Sequence, residues 1–158
     1  MRSKNILKLA SSITLAQSPG FIGALFGVSS MSIWYTTLTK PSFSPPDWVF
    51  GPVWFILYTL MGIALYLVWH RGLSYRRVQF AFSFFLVHLG VNAFWSVAFF
   101  GMQNIALALL VILLLWVLIL LSTLLFWRID SRAGALLLPY LLWVSFAVYL
   151  NYSLFSLN

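Results

Sequence analysis

The sequence predicts an all-α membrane protein, a bundle of five transmembrane helices with a long ordered loop between helices 1 and 2. Hydrophobic residues make up 63% of the 158 residues and charged residues only 7%, more apolar surface than a soluble domain of this size could cover. The apolar residues fall in runs of about 20, which is the helix length that crosses roughly 30 Å of hydrocarbon. Continuous runs favour helices over the short alternating strands of a membrane β-barrel.

The predicted spans follow one another with little chain between them. They cover residues 9–28, 49–69, 78–100, 105–127 and 133–155. No room remains for a soluble domain, so we expect a single domain over residues 1–158. Short links at 101–104 and 128–132 favour antiparallel neighbours in one bundle.

The first span has two local features. Pro19 is expected to kink it or to mark a weak point, which neighbouring helices can tolerate by satisfying the freed carbonyl. Small residues recur four apart in two stripes, a spacing that lets helix backbones approach closely in lipid. The stripes are Ala16, Gly20 and Ala24, and beside them Gly23 and Gly27. Lys8 and the polar residues Ser11, Ser12 and Thr14 interrupt the apolar start, which favours an uncleaved span over a signal peptide.

The basic residues lie at the ends of the spans, which indicates orientation. With five spans, the N-terminus and the second and fourth loops share one face, and Lys40 alone carries positive charge on the other. The positive-inside rule therefore predicts a cytoplasmic N-terminus, with the C-terminus and the Lys40 loop outside. No basic and aromatic patch suggests a nucleic-acid partner. The residues on the first face are Arg2, Lys4, Lys8, Arg71, Arg76, Arg77, Arg128 and Arg132.

The first outer loop, residues 29–46, is too long for a turn and has the composition of an ordered element. Pro41, Pro45 and Pro46 restrict its backbone and so reduce the entropy of fixing it. Asp47 is expected to be an N-cap or first-turn acid of the second span. Lys40 is either a solvated loop charge or the group that receives an anionic part of a flat apolar ligand.

The residues that usually carry acid-base or metal chemistry are scarce. The chain has two acidic residues, two histidines and no cysteine. The two acids lie on opposite faces of the predicted bundle, so they cannot form a catalytic pair. We expect no metal site, no required cofactor and no ordinary hydrolytic activity.

Aromatic residues make up 19% of the chain and divide into two sets. Trp34, Trp48, Trp69 and Trp127 fall at span ends, where tryptophans form interfacial belts. Trp54, Trp95, Trp116 and Trp143 lie at least five residues inside a span. Their indole N–H groups need partners in a dry environment.

A polar and aromatic layer is predicted beneath the outer loop. Counting ~1.5 Å per residue from the outer ends places Trp54, Tyr58, Asn92 and Trp95 roughly 10–15 Å below the surface. His88, Asn92 and Trp95 share one face of span 3. Two interpretations stay open: interhelical hydrogen bonding, or a mostly apolar small-molecule pocket with a few polar groups. Asn151 and Tyr152 are expected at the interface or against the loop.

Three segments together resemble one family. They are WYTTLTKPSFSPPDWVFGPVWFILYTLMG from Trp34, HLGVNAFWSVAFF from His88 and PYLLWVSFAVYLN from Pro139. They resemble the TspO/translocator-protein family, also called tryptophan-rich sensory proteins or peripheral benzodiazepine receptors. The resemblance covers the chain from about Gly20 onward and implies five helices with a loop folded over a pocket.

The resemblance also implies ligands and their contacts. Members of the family bind protoporphyrin IX, haem-related tetrapyrroles, benzodiazepine-site drugs and, in animals, sterols, and they form homodimers. Eleven positions match ligand-binding positions of the family, and Trp95 is added from the predicted layer. The twelve predicted site residues are Trp34, Tyr35, Lys40, Pro41, Trp54, Tyr58, His88, Asn92, Phe94, Trp95, Trp143 and Ala147. Two departures stand out: His88 replaces an amide found in many relatives, and Tyr152 lacks the basic residue of a sterol pattern, which disfavours sterols.

Three functions follow as expectations. The first is a membrane protein that binds tetrapyrroles for transport, sequestration or stress signalling. The second is an enzyme that degrades protoporphyrin IX in light and oxygen, a reaction that the resemblance attributes to Trp54 and Trp143. The third is a regulatory membrane scaffold that turns over no ligand.

Overall fold

The chain forms five long helices and one short one. The computed structural model describes residues 2–158, with the side chains of residues 3–27 and 33–158; Met1 and the side chain of Arg2, which enter the domain and charge predictions, lie outside this part. The helices are α1 (Arg2–Ser32), α2 (Trp34–Thr37), α3 (Phe50–His70), α4 (Arg76–Ser96), α5 (Ile105–Trp127) and α6 (Ser131–Leu157). Residues 2–158 contain no strand.

All helices except α2 are long and apolar enough to cross a membrane, which confirms the predicted five-helix class. They pack in a ring in the order α1, α3, α6, α5, α4, with α4 closing against α1. Large side chains without solvent exposure fill the centre, among them Met61, Phe85, Leu115 and Tyr140. Since the chain order is α1, α3, α4, α5, α6, the ring brings α6 between α3 and α5.

Helix α1 continues through Pro19 because the freed carbonyl finds a local donor. A proline at position 19 cannot donate to the carbonyl of Leu15, four residues earlier. The hydroxyl of Ser18 donates to this carbonyl at 2.7 Å. The carbonyl is therefore satisfied within α1 itself, and not by a neighbouring helix as the sequence suggested.

Helices α1 and α3 touch at one level and separate toward the outer loop. A Cβ built on Gly62 would lie 2.5 Å from Cα of Ile13, so the two backbones are in contact there. Nearer the loop, a Cβ on Gly20 would meet the Tyr58 ring at 2.9 Å. A Cβ on Gly51, close to the start of α3, would meet nothing within 4 Å. The gap between the helices therefore widens toward the loop.

The non-helical part of the segment between α1 and α3 is shorter than the predicted loop of residues 29–46. Helix α1 runs to Ser32 and α2 follows after Ile33, so Ile33 and residues 38–46 are the residues of this segment without helical structure. Asp47 opens a 3₁₀ turn, Asp47–Val49, that leads into α3. The predicted role of Asp47 as a first-turn acid is confirmed. Thr39 is held by Asn158, whose side chain accepts from the Thr39 N–H at 2.9 Å and donates to its carbonyl at 3.1 Å.

The opposite end of the bundle is held by Asp130. Its carboxylate caps α6 by accepting from the Arg132 N–H at 3.0 Å. It also pairs with Arg71 at 2.7 Å, which joins the second loop to the fourth. Lys8 lies 5.6 Å from the centroid of the Trp69 ring at this same end. The N-terminus and the second and fourth loops therefore share one end, as the alternation of spans requires.

Helix α4 ends in a π-helical turn, Val97–Gly101. The wider turn places Ala98 and Phe99 in the interior, where they are buried. Such turns are often found at functional sites. Here it adds Phe99 and Phe100 to the interior wall beneath the loop.

Candidate functional site: an aromatic cavity under the outer loop

A cavity of about 530 Å³ lies between α1, α3, α4 and α6, in the half of the bundle next to the outer loop. Helix α5 contributes nothing to its lining. The lining residues are Gln17, Pro19, Gly20, Phe21, Gly23, Ala24 and Gly27 from α1, Tyr35 from α2, Phe50, Gly51, Trp54, Phe55 and Tyr58 from α3, Asn92, Trp95, Ser96, Phe99 and Phe100 from α4 and its π turn, and Trp143, Ala147, Leu150, Asn151 and Leu154 from α6. Its volume falls within the range of small-molecule sites, about 300–1,000 Å³.

Paired aromatic rings form two walls of the cavity. On α3, the rings of Trp54 and Tyr58 are stacked with centroids 5.2 Å apart. On α4, Trp95 and Phe99 are stacked at the same spacing of 5.2 Å. Both pairs are one helical turn apart along their helix, which is why the rings can overlap. Aromatic side chains on two separate helices thus line the cavity, which suits an apolar, conjugated ligand.

The roof of the cavity is Tyr35, which the short helix α2 holds at 4% exposure. Its ring packs edge-on against Phe99 and Phe100, with centroids 6.1 and 6.4 Å away. Burial raises the pKa of the Tyr35 phenol. The ammonium of Lys40 lies 4.0 Å from the ring centroid and pairs with Asp47 at 3.3 Å. A cation therefore sits just above the cavity, on the outer side of its aromatic cover.

A chain of hydrogen bonds runs from the cavity floor into the core. The Tyr58 hydroxyl donates to Oδ1 of Asn92 at 2.9 Å, and Nδ2 of Asn92 donates to the Tyr140 hydroxyl. Nε2 of His88 lies 3.0 Å from that hydroxyl, while Nδ1 faces the carbonyl of Phe85 at 3.3 Å.

The Phe85 carbonyl fixes the direction of this chain because it can only accept. Nδ1 of His88 therefore carries the proton, and Nε2 accepts the proton of Tyr140. Every member of the chain is then satisfied, which is what a buried polar network needs for stability. His88 belongs to the interhelical support of the floor, whereas Tyr58 and Asn92 both support and line the cavity.

Two further polar groups sit in the walls. Nε1 of Trp95 donates to Oδ1 of Asn151 at 3.1 Å, and Asn151 donates to the Ile105 carbonyl at 3.3 Å. Gln17 on α1 donates to the Phe55 carbonyl and to the Thr59 hydroxyl on α3. These bonds tie α4 to α6 and α1 to α3 at the edges of the cavity. Among the described residues that line it, none is charged.

The deep tryptophans differ in how their N–H groups are satisfied. Nε1 of Trp95 donates to Asn151, and Nε1 of Trp116 donates to Ser145 at 2.8 Å. Nε1 of Trp143, in the cavity wall, is buried with no hydrogen-bond partner among the described residues. The expectation that such indoles find partners therefore fails at Trp143, which leaves a donor in the cavity wall unused.

Seven of the twelve predicted site residues line the cavity: Tyr35, Trp54, Tyr58, Asn92, Trp95, Trp143 and Ala147. The other five stand near it in different ways. Trp34 packs edge-on against Phe99 without lining the cavity, and Lys40 lies above Tyr35. Pro41 belongs to the loop beyond Lys40, and His88 lies behind Tyr140. Phe94 is 44% exposed and lies outside the cavity lining.

Sequence reasoning missed the whole α1 wall. Its small residues were interpreted as helix-packing positions, and Gly20 and Gly23 do touch Tyr58 and Ser96 closely. Gln17, a polar residue in mid-span, was the available signal for a site. Asn151 was expected at the interface or against the loop, whereas it is buried, lines the cavity and accepts a hydrogen bond from Trp95. No sequence pattern indicated Tyr140, because its two hydrogen bonds reach across the bundle from α6 to His88 and Asn92 on α4, and only the tertiary structure shows them.

The fold and the cavity define a class: an integral membrane protein of five spanning helices, four of which surround an aromatic cavity near one end, with no charged residue among its described lining residues. The model of the TspO/MBR family matches residues 12–157. The chain is 46% identical over 156 residues to the Tryptophan-rich protein TspO of Chlorobaculum tepidum, covering 99% of both chains. It is 43% identical to the protein of the same name in Archaeoglobus fulgidus, covering 98% of this chain and 99% of that one.

More distant relatives include the human Translocator protein, which is 36% identical over 151 residues, or 94% of this chain and 89% of the human one. The chain belongs to the TspO/MBR family.

Proposed function

We propose that this protein binds a tetrapyrrole of the protoporphyrin IX or haem type in the cavity under the outer loop. The supporting observation is the pair of aromatic walls, Trp54 with Tyr58 and Trp95 with Phe99, around an uncharged space of about 530 Å³. A flat macrocycle gains most from stacking between such surfaces.

The carboxylates of the ligand are best accommodated at the roof. Burying an ionised carboxylate in an apolar cavity without a partner is costly. The described lining residues offer no cation, whereas Lys40 lies directly above Tyr35. We therefore place the apolar edge of the macrocycle toward Tyr58 and Asn92 and its carboxylates toward Lys40. Benzodiazepine-site drugs would use the same aromatic walls, and sterols are disfavoured.

The cellular role that fits this binding is transport, sequestration or stress signalling of tetrapyrroles. The end that carries Arg71, Arg132 and Lys8 would face the cytoplasm by the positive-inside rule, and the Lys40 loop would face outside. We also propose that the protein forms a homodimer in the bilayer, and this part of the proposal rests only on its membership of the family.

Titration of the purified protein in detergent with protoporphyrin IX, in darkness, tests the binding. Trp54→Phe should weaken binding about threefold to tenfold, since an aromatic contact contributes ~0.5–1.5 kcal/mol beyond burial. The matched control is Trp116→Phe, because Trp116 lies outside the cavity lining and bonds Ser145 instead. Equal affinities for all three proteins would argue against this cavity, and absence of binding in the wild type would favour the scaffold function.

A second function, light- and oxygen-dependent degradation of protoporphyrin IX, has one observation in its favour. Trp54 and Trp143 line the same cavity from α3 and α6. An indole there could give an electron to a photoexcited porphyrin, with dioxygen as the final oxidant. Illumination of the same titration tests this: loss of porphyrin absorbance that disappears in Trp54→Phe or Trp143→Phe, at equal occupancy, favours the enzyme. Unchanged absorbance under light favours binding alone.

A further inference from the structure

Among the described residues that line the cavity, the exposed ones lie on one side, which faces the bilayer. Of the residues that line the cavity, the exposed ones all belong to α1 and α3: Phe21, Ala24, Gly51 and Phe55. Phe21 is 67% exposed and Phe55 is 66% exposed. The lining residues from α4, its π turn and α6 are buried or half-buried. The opening is therefore the gap between α1 and α3, which we call the lateral mouth.

The shape of the lateral mouth follows from the crossing of α1 and α3. The backbones touch where Gly62 meets Ile13, and Gln17 bridges the helices just above that level. Toward the outer loop, a Cβ built on the exposed Gly51 would meet nothing within 4 Å, and a Cβ on the buried Gly27 would point into the cavity. The mouth thus extends from the level of Gln17 to that of Gly51, over about 10 Å along α3 at 1.5 Å per residue.

Described contacts cover the cavity on the side of the outer loop. Tyr35 covers the cavity from above, with Lys40 on its outer face and Phe99 and Phe100 beneath. The loop segment at Thr39 is pinned to Asn158 by two hydrogen bonds. A ligand arriving from water would have to break these contacts, whereas nothing described in the structure blocks the lateral mouth.

We propose that the cavity receives its ligand from the hydrocarbon of the outer-loop leaflet, through the lateral mouth between α1 and α3. The rim is made of exposed phenylalanines and small residues within membrane-spanning segments, a surface that fits acyl chains and the apolar body of a ligand. The partner chemistry is a flat, largely apolar molecule that partitions into the membrane. The identity of that ligand rests on the proposed function, but the opening itself does not.

A single-cysteine reporter tests the route without the natural ligand. The chain has no cysteine, so Ala147→Cys, on the α6 wall, gives one thiol inside the cavity. In liposomes, a lipid-dissolved aromatic maleimide should label it, and a charged, water-soluble thiol reagent should label it at least tenfold more slowly. Adding Gly51→Leu, which fills the lateral mouth, should slow the apolar reagent about tenfold.

Two further variants in the same reporter background complete the design. Gly90→Leu is the matched control, because a Cβ on Gly90 also meets nothing within 4 Å and Gly90 lies outside the cavity lining; its labelling rate should stay unchanged. Asn158→Ala releases the loop and should also leave the rate unchanged. Faster labelling in Asn158→Ala, or labelling unaffected by Gly51→Leu, would overturn the lateral route in favour of entry past the loop.

Protoporphyrin IX binding kinetics in the same liposomes separate this proposal from the proposed function. With the lateral route, Gly51→Leu should lower both the association rate and the dissociation rate of protoporphyrin IX, each about tenfold. An unchanged Kd together with unchanged rates would contradict the lateral route but not the binding function. If the protein did not bind porphyrin but its cysteine labelling still depended on the lateral mouth, the binding function would be contradicted and the lateral route would be supported.

Discussion

The hydroxyl of Tyr140 on α6 lies 3.0 Å from Nε2 of His88 on α4, at the buried end of the hydrogen-bond chain that begins at the cavity floor. The same hydroxyl accepts from Asn92. One oxygen thus serves two buried partners and joins the cavity floor to the centre of the bundle.

Removing that oxygen should destabilise the protein. Tyr140→Phe keeps the ring but leaves Nδ2 of Asn92 and Nε2 of His88 unsatisfied, at ~1–3 kcal/mol for each buried group. We expect a loss of about 2 kcal/mol or more in thermal unfolding followed in detergent. Tyr152→Phe is the control, because Tyr152 is exposed, and it should change stability by less than ~0.5 kcal/mol. Equal melting of the two variants would contradict the assigned network.

Gly62 should tolerate no side chain. A Cβ there would lie 2.5 Å from the backbone of Ile13, and a backbone atom cannot move aside as a side chain can. We expect Gly62→Ala to cost about 1–3 kcal/mol or to prevent folding, as overpacking does. Gly90→Ala, where the space is open, should be neutral or stabilise α4 by up to ~1 kcal/mol. The yield and melting of monodisperse protein after purification distinguish the two.

Asp130 should make stability depend on pH in the acid range. Hydrogen bonding from Arg132, helped by Arg71 and opposed by burial, lowers the pKa of Asp130 to about 2 from the usual 3.8. Because the folded-state pKa is depressed, its stabilising contribution is fully present above about pH 4 and is lost as the pH falls toward 2. The melting temperature of the wild type should therefore fall across this window.

Asp130→Asn is the matched variant for that measurement. It keeps the size of the side chain but cannot form the ion pairs with Arg71 and Arg132. Its melting temperature should be lower than that of the wild type at neutral pH and should change less between pH 4 and pH 2. Parallel curves for the two proteins would exclude Asp130 as the source of the acid sensitivity.

Lys40 and Asp47 should affect ligand affinity in opposite directions. Their ion pair is partly exposed, so neither substitution should change stability by more than ~1 kcal/mol. Under the proposed function, Lys40→Met removes the cation offered to the ligand carboxylates, and Asp47→Asn frees it from its competitor. We expect affinity for protoporphyrin IX to fall about fivefold in the first and to rise in the second, with the difference shrinking at high salt. Shifts of the same sign would refute this role.

The long helices α3 to α6 and their ends were predictable because they depend on local properties, whereas α1 extends beyond both ends of the predicted span 9–28. In hydrocarbon each backbone group must be satisfied within its own helix, so an apolar run of about 20 residues directly indicates a membrane-spanning helix. The turns at Asn104 and Asp130 follow from capping residues at the helix starts. The end of α1 was less predictable, since Val28 to Ser32 have neither a strong breaker nor a continuous apolar pattern.

The candidate site was predictable in part. Helical periodicity correctly places Asn92 and Trp95 on one face of α4. The same periodicity argues against Phe94, which lies two residues from Asn92 and therefore on another face, although the family resemblance suggested it. His88 shares the face of Asn92, but Tyr140 covers it, and no pattern in α4 can reveal a side chain from α6.

The sequence by itself determined that this chain is a five-helix membrane protein with aromatic residues gathered beneath its outer loop. Hydrophobicity, helix period and proline placement act within one segment and can be read there. Only the tertiary structure decided that α1 forms one wall of the cavity, that α5 does not line it, and that the cavity opens toward the bilayer between α1 and α3. Those facts depend on how closely two helices approach at Gly62 and how far they diverge at Gly51, and such distances are set by side chains that meet across the bundle.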